Sequence, residues 1–227
     1  MTTESNPGAT VDLDAANYTL SGLRPFPVAI TTVLNGRING LMSLSAGAAA
    51  IVPEAPRVTI SITKFNMSHD MILESGVFAM HLLGNDPDMI QNSLDILMCL
   101  GGSSGRDGDK ITDAALRIKP GVTGSPILLD SLSYVEGRII ASLDVEESTI
   151  FVADVVAAER FTKGGRLNVG EAWKKLPPEW IETYDRNHVP QLENARERRG
   201  LPPGGPRTEH VPHLVLVCMR QLLHSPT

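Results

Sequence analysis

The sequence predicts a mostly antiparallel β-barrel with short decorating helices and a C-terminal helical arm. Three observations carry that prediction. Short β-branched or alternating stretches recur from Val28 to Val156. An Asn35-Gly36 pair marks a tight hairpin between the first two of them. After about Gly164 the alternation gives way to charge, Trp and Pro. The 227 residues therefore divide into a flexible N-terminal arm over 1–20, a barrel domain over 21–164, and an extension over 165–227. That extension is too thin to make its own core, so it is expected to pack on the barrel or on a second subunit.

Taken in order, VAITTVL from Val28 to Leu34 is a short buried strand, and Asn35-Gly36 turns it into its neighbour. Arg57 to Lys64 places Val58, Ile60 and Ile62 on one face and Thr59, Ser61 and Thr63 on the other. Ser68 is placed as the N-cap of a short helix, His69 to Glu74, that stops at Gly76. Val77 to Leu83 alternates as a strand. Asp86-Pro87 opens the clearest helix, with Ile90, Leu94, Leu97 and Met98 at helical spacing and Gly101-Gly102 at its end. GGSSGRDGDK is loop. Leu132–Leu143 and Thr149–Val156 are two further strands joined by a turn over Asp144–Ser148. In the arm Trp180, Tyr184 and His188 fall at helical intervals, with Pro190 expected to break or restart that helix. LPPGGPRTEHVP is linker-like, and HLVLVCMRQLL follows it.

Composition narrows the function. Hydrophobic residues make up 42% and charged residues 20%, which belongs to a folded globular chain rather than a disordered one. A net charge of −6 without a Lys/Arg cluster disfavours nucleic-acid binding. Cys99 and Cys218 lie far apart in apolar runs and read as reduced thiols of a cytoplasmic protein. No signal peptide or membrane-spanning run is visible, and a soluble protein is expected.

The residues most able to carry chemistry lie between Asn35 and Gly84. Small hydroxyl residues, Ser43 and Ser45, follow the hairpin. A strand then ends in Thr63-Lys64, with Asn66 and Ser68 at the mouth of a helix. Backbone N–H groups, hydroxyls and a cation in one compact unit suit a phosphorylated ligand whose planar apolar head lies along a barrel wall.

The stretches Asn39-Gly40-Leu41-Met42-Ser43-Leu44-Ser45-Ala46-Gly47 and Ser61-Ile62-Thr63-Lys64-Phe65-Asn66-Met67-Ser68 resemble the two flavin-holding segments of the flavin reductase-like family of FMN-binding split barrels. Ser104-Gly105-Arg106-Asp107 is similar to that family's SGRD-type loop, and the likeness runs over about residues 25–160. The resemblance implies a split barrel of Greek-key type and a homodimer binding one FMN per subunit, with FAD or another flavin as alternatives. It implies hydride transfer from NADH or NADPH to the flavin, and onward to a diffusible flavin, a partner oxygenase or a small acceptor. Ser43, Leu44, Ser45 and Ala46 would then sit near the ring or ribityl chain, with Asn39 and Ser61 in the same segments. Thr63, Lys64, Asn66 and Ser68 would hold the phosphate end. No catalytic residue is singled out. Where nicotinamide-using members carry a Gly-Asp-His turn, this chain has Glu146-Glu147-Ser148, and the carboxylates repel a phosphorylated dinucleotide. A flavin-binding module without reductase turnover, or a barrel for deazaflavin or haem, therefore stands beside the reductase.

Other constellations are weaker. His69, between Ser68 and Asp70, is a candidate to reach the flavin from the first helical turn, with a plain surface or helix-turn role as the alternative. Three consecutive residues cannot form a triad, because helix neighbours point in different directions. His81 reads as a packed or hydrogen-bonded histidine. His210 and His213 are a two-ligand fragment without a zinc-like set, so no metal is expected. Trp173, Trp180 and Tyr184 suggest a stacking platform for a base, with core or interface packing favoured because acidic residues interrupt the basic charge.

Overall fold

The computed structural model describes residues 12–23 and 26–204. Cys218, the His210/His213 pair and the closing apolar run lie outside them. Within the stretch expected as an arm, α1 (Leu13–Gly22) is helical. There follow β1 (Val28–Leu34), β2 (Arg37–Ser43), β3 (Ala46–Ala48), β4 (Arg57–Thr63), α2 (Met67–Ser75) and β5 (Val77–Leu82). Next come α3 (Ile90–Gly102), α4 (Lys110–Asp113), β6 (Ile118–Pro120), β7 (Pro126–Leu128), β8 (Ser133–Asp144) and β9 (Ser148–Arg160). The arm holds α5 (Val169–Lys175) and α6 (Pro178–Arg198).

Seven strands form one antiparallel sheet in the order β2-β1-β5-β8-β9-β4-β3, and β6 pairs with β7 separately. Its hairpin is the predicted one: Asn35 and Gly36 both take positive φ, 51° and 78°, and Leu34 faces Arg37 across the turn. The outermost strands, β2 and β3, are joined only by Leu44-Ser45. A linker that short spans at most about 10 Å between its flanking residues, so the sheet must curl until its edges meet. The Ser61 amide donates to the Ser45 carbonyl at 2.8 Å, extending the β3–β4 ladder into the corner between β2 and β3. Register shifts at Glu136/Gly137 and Ile139/Ala141 help β8 and β9 bend. A Cβ on Gly137 would stand 2.7 Å from the Phe78 ring, so glycine at the bulge lets that ring fill the barrel.

Two apolar cores result. Ile30, Ile60, Ile62, Ile72, Phe78 and Phe151 pack inside the curled sheet. Ala29, Leu94, Leu97, Leu100 and Ala172 belong to a second core, which joins the outer face of β1 to α3 and α5. β1 is thus buried on both faces, consistent with its unbroken apolar and β-branched run.

Three local expectations need correction. The helix expected from Asp86-Pro87 begins at Ile90, because the Asp86 carboxylate accepts from the Gly165 amide instead of capping it. Ser68 lies inside α2, whose N-cap is Asn66; its hydroxyl accepts from Asn39 Nδ2 at 3.0 Å. Pro190 does not interrupt α6, which runs through it. A proline ring has helical φ and removes one N–H bond, and α6 is held at both ends by the contacts described below.

Candidate functional site

A cavity of about 350 Å³ opens at the seam where β2 passes into β3. The barrel contributes Ser43, Leu44 and Ser45 from the corner and Ser61, Thr63 and Asn66 from β4 and the turn after it. Leu97, Leu100 and Gly101 of α3 form an apolar side. The corner is organised by its own bonds: the Ser45 amide donates to Ser43 Oγ at 3.0 Å. At α2 the N-cap Asn66 makes no side-chain capping bond; its Nδ2 donates to the Thr63 hydroxyl, and its carbonyl accepts from the His69 amide at 3.0 Å.

Five of the eleven sequence-predicted residues take other places. Lys64 is held by Asp144, its ammonium 2.6 Å from both carboxylate oxygens; the Lys64 hydrogen bond chiefly keeps that carboxyl below its usual range. Asn39 and Ser68 bond to each other beneath the loop carrying Gly105. His69 is buried, with Nδ1 2.8 Å from Asp70 and Nε2 2.9 Å from the Thr149 hydroxyl. Ala46 is exposed on β3. A cation that does reach the turn before α2 is Arg106, which donates to the Phe65 carbonyl at 2.8 Å.

The remaining wall comes from the arm. Trp173, Trp180, Tyr184, His188 and Gln191 all line the cavity. Their position follows from a small-residue window in α3. Gly101 and Gly102, expected only as a helix stop, are its last two residues, and a Cβ on Gly102 would lie 2.5 Å from Trp180 Nε1. The indole seats there and donates to the Met98 carbonyl at 3.3 Å. Lys110 fixes the same helix end by donating to the Leu100 and Ser103 carbonyls, at 3.0 and 2.8 Å. Burial pulls its ammonium down to about 8. Tyr184 stacks on Trp180 and on His188. Burial, with the Asp185 charge adding, pushes its phenol up to about 12, so it stays protonated at neutral pH. At the far end of α6 the Arg199 guanidinium lies 4.0 Å from Glu146 and 3.8 Å from Glu147. The signal for this wall was the aromatic spacing in the arm together with the Gly pair.

Away from the cavity, His81 is the packed histidine expected. The Leu128 amide donates to its Nε2 at 3.0 Å, so Nδ1 carries the proton and donates to the Ala29 carbonyl at 3.1 Å. Complete burial lowers its pKa to about 4. Cys99 is a half-buried free thiol, raised chiefly by burial. Among the described residues no group of three or more His, Cys, Asp or Glu is placed to hold a metal ion. No described helix is long and apolar enough to cross a membrane.

Comparison with known proteins bears on this geometry. A family model described as "Flavin reductase like domain" matches residues 22–170. The high molecular weight rubredoxin of Moorella thermoacetica is 26% identical over 136 residues, covering 60% of this chain and 56% of that one. The chain spans about half the length of the curated relatives it matches. An FMN-binding protein from Thermus thermophilus, solved with bound p-hydroxybenzaldehyde, superposes with a TM-score of 0.52 at 21% identity, over 60% of this chain and 72% of that one. An NADH:FAD oxidoreductase from Streptomyces globisporus gives 0.54 at 20% identity, over 71% and 91%. These likenesses establish the curled sheet with its short helices as the split-barrel fold.

Proposed function

The chain belongs to the flavin reductase-like family, and on that premise we propose that it is an FMN-binding oxidoreductase. In this reading it takes hydride from NADH or NADPH, and the electrons pass by way of bound flavin to a diffusible flavin, a partner oxygenase or a small acceptor. The observation that carries the reading is the meeting of Ser43–Ser45 with Ser61, Thr63 and Asn66 in one cavity at the barrel seam.

The residues fit such a cofactor. Hydroxyls and backbone amides at the Leu44-Ser45 corner suit the polar edge of an isoalloxazine ring, and Leu97 and Leu100 suit its apolar part. The α2 N-terminus, with Arg106 beside it, suits a phosphate. FMN, when bound, supplies reversible two-electron chemistry; the protein orients the ring, excludes water and sets the potential. The reading takes the chain as a homodimer acting in the cytoplasm. Exposed Ile140, Leu143 and Val156 on β8 and β9 are apolar surface of the kind a partner subunit covers.

One observation favours a second reading, a flavin-binding module without NAD(P)H turnover. The turn that carries a histidine in nicotinamide-using members is here acidic, and Arg199 of the arm lies against it. Anaerobic addition of NADH and then NADPH to the FMN-loaded protein separates the two. Bleaching of the bound-flavin absorbance supports the reductase; persistent oxidised flavin supports the module.

A further inference from the structure

We propose that the C-terminal arm supplies the ring-binding wall of the flavin cavity. The edges of a Trp180–Tyr184–His188 ladder meet the face of a bound planar ring, so residues beyond the family-matched segment form part of the site. This rests on the flavin reading above and deepens it.

The ladder residues recur every fourth position of α6 and so share one helix face. The Trp180 and Tyr184 centroids are 5.2 Å apart at an interplanar angle of 21°, and those of Tyr184 and His188 are 5.8 Å apart at 17°. Tyr184 is thus flanked along α6 by two nearly parallel rings, and the ladder runs as a row of rings beside the cavity, offering their edges to its side. Trp173 takes one side, meeting Tyr184 at 82° and Trp180 at 77°. All four rings border the same cavity as the serine corner. Ring edges carry the positive end of the aromatic quadrupole, and a π face is their complement. Such a wall selects a flat conjugated ligand over an aliphatic one of equal size.

The wall is placed before any ligand arrives. Gly102 lets the Trp180 indole seat against α3, the indole donates to Met98, and Asn187 Nδ2 donates to the Gly102 carbonyl at 3.3 Å. Little side-chain freedom is left to lose on binding. The cavity, about 350 Å³, lies at the small end of the range for ligand sites, roughly 300–1,000 Å³.

The test uses FMN itself. Tyr and Trp in contact with an excited flavin quench its emission by electron donation, whereas Phe does not. FMN bound to the unmodified chain should be dark. FMN bound to a Trp173→Phe/Trp180→Phe/Tyr184→Phe variant, whose aromatic packing is kept, should regain emission. In the unmodified chain, nuclear Overhauser contacts from Tyr184 and Trp180 ring protons to the flavin ring should also appear, a readout that does not depend on the variant folding. Equal emission from both proteins, or FMN bound without those contacts, overturns the wall and leaves the flavin reading standing. Failure of the unmodified chain to bind FMN overturns the flavin reading, and the wall with it.

Discussion

Two adjacent glycines should respond to alanine with opposite signs. A Cβ on Gly101 would meet its nearest neighbours, Met42 Cγ and the Trp180 ring, at 3.6–3.8 Å, which is ordinary contact. Neither Gly101 nor Gly102 has a positive φ. Gly101→Ala should therefore stabilise the chain by about 0.5–1 kcal/mol, the usual gain of alanine over glycine in a helix. The same gain is available at Gly102, but there the added carbon lies 2.5 Å from Trp180 Nε1, 3.1 Å from Cε2 and 3.3 Å from Cζ2. The indole cannot swing aside freely, being stacked on Tyr184 and edge-on to Trp173. Displacing it costs the bond to Met98, about 1 kcal/mol, and weakens two aromatic pairs at about 0.5–1.5 kcal/mol each. Set against the helix gain, Gly102→Ala should destabilise by about 1–2 kcal/mol. Urea denaturation followed by tryptophan emission reads this directly, since both tryptophans of the chain sit in the arm. Faster proteolytic cleavage within α6 of the Gly102→Ala protein should accompany it. Equal stabilisation by the two substitutions would refute the docking argument.

Other outcomes follow from the same contacts. His81 has its folded pKa lowered from 6.5 to about 4, so the unfolded chain alone binds a proton between those values. Stability is thus full above the unfolded pKa and falls as pH drops toward 4; the loss by pH 5 should be about 2 kcal/mol from this group, read by urea midpoints at pH 7.5 and 5. Glu146 has φ 68°, so Glu146→Gly should raise stability by about 1 kcal/mol in a thermal melt. Lowered stability would show that its contact with Arg199 matters more. Lys64 is held by Asp144 while Arg106 lies beside the turn before α2. In FMN titrations Arg106→Met should therefore weaken binding by about tenfold, a 1.4 kcal/mol loss, and Lys64→Met by far less. The reverse order would restore Lys64 as the phosphate-binding cation.

What was legible in the sequence was set by local rules. Asn35-Gly36 specified a hairpin because both residues accept positive φ. The alternation of Val58, Ile60 and Ile62 with Thr59, Ser61 and Thr63 specified which face of β4 is buried. Ser43, Ser45, Ser61, Thr63 and Asn66 could be chosen together because the corner and β4 follow one another in the chain. What was not legible depended on contacts between distant segments. Lys64 reads as a free cation until the β8–β9 turn brings Asp144 to it. Ser68 reads as a cap until Asn39 of β2 claims its hydroxyl. Gly101-Gly102 reads as a helix stop because nothing local signals that an indole from the arm needs the space. The aromatic spacing in the arm was visible, but spacing does not say which surface a helix face meets.

The most direct test is a crystal structure of the chain grown with FMN. The account predicts an isoalloxazine ring between the Leu44-Ser45 corner and the Trp180–Tyr184–His188 edges, with its phosphate at the α2 N-terminus. Flavin bound elsewhere on the barrel, with this cavity empty, would contradict it.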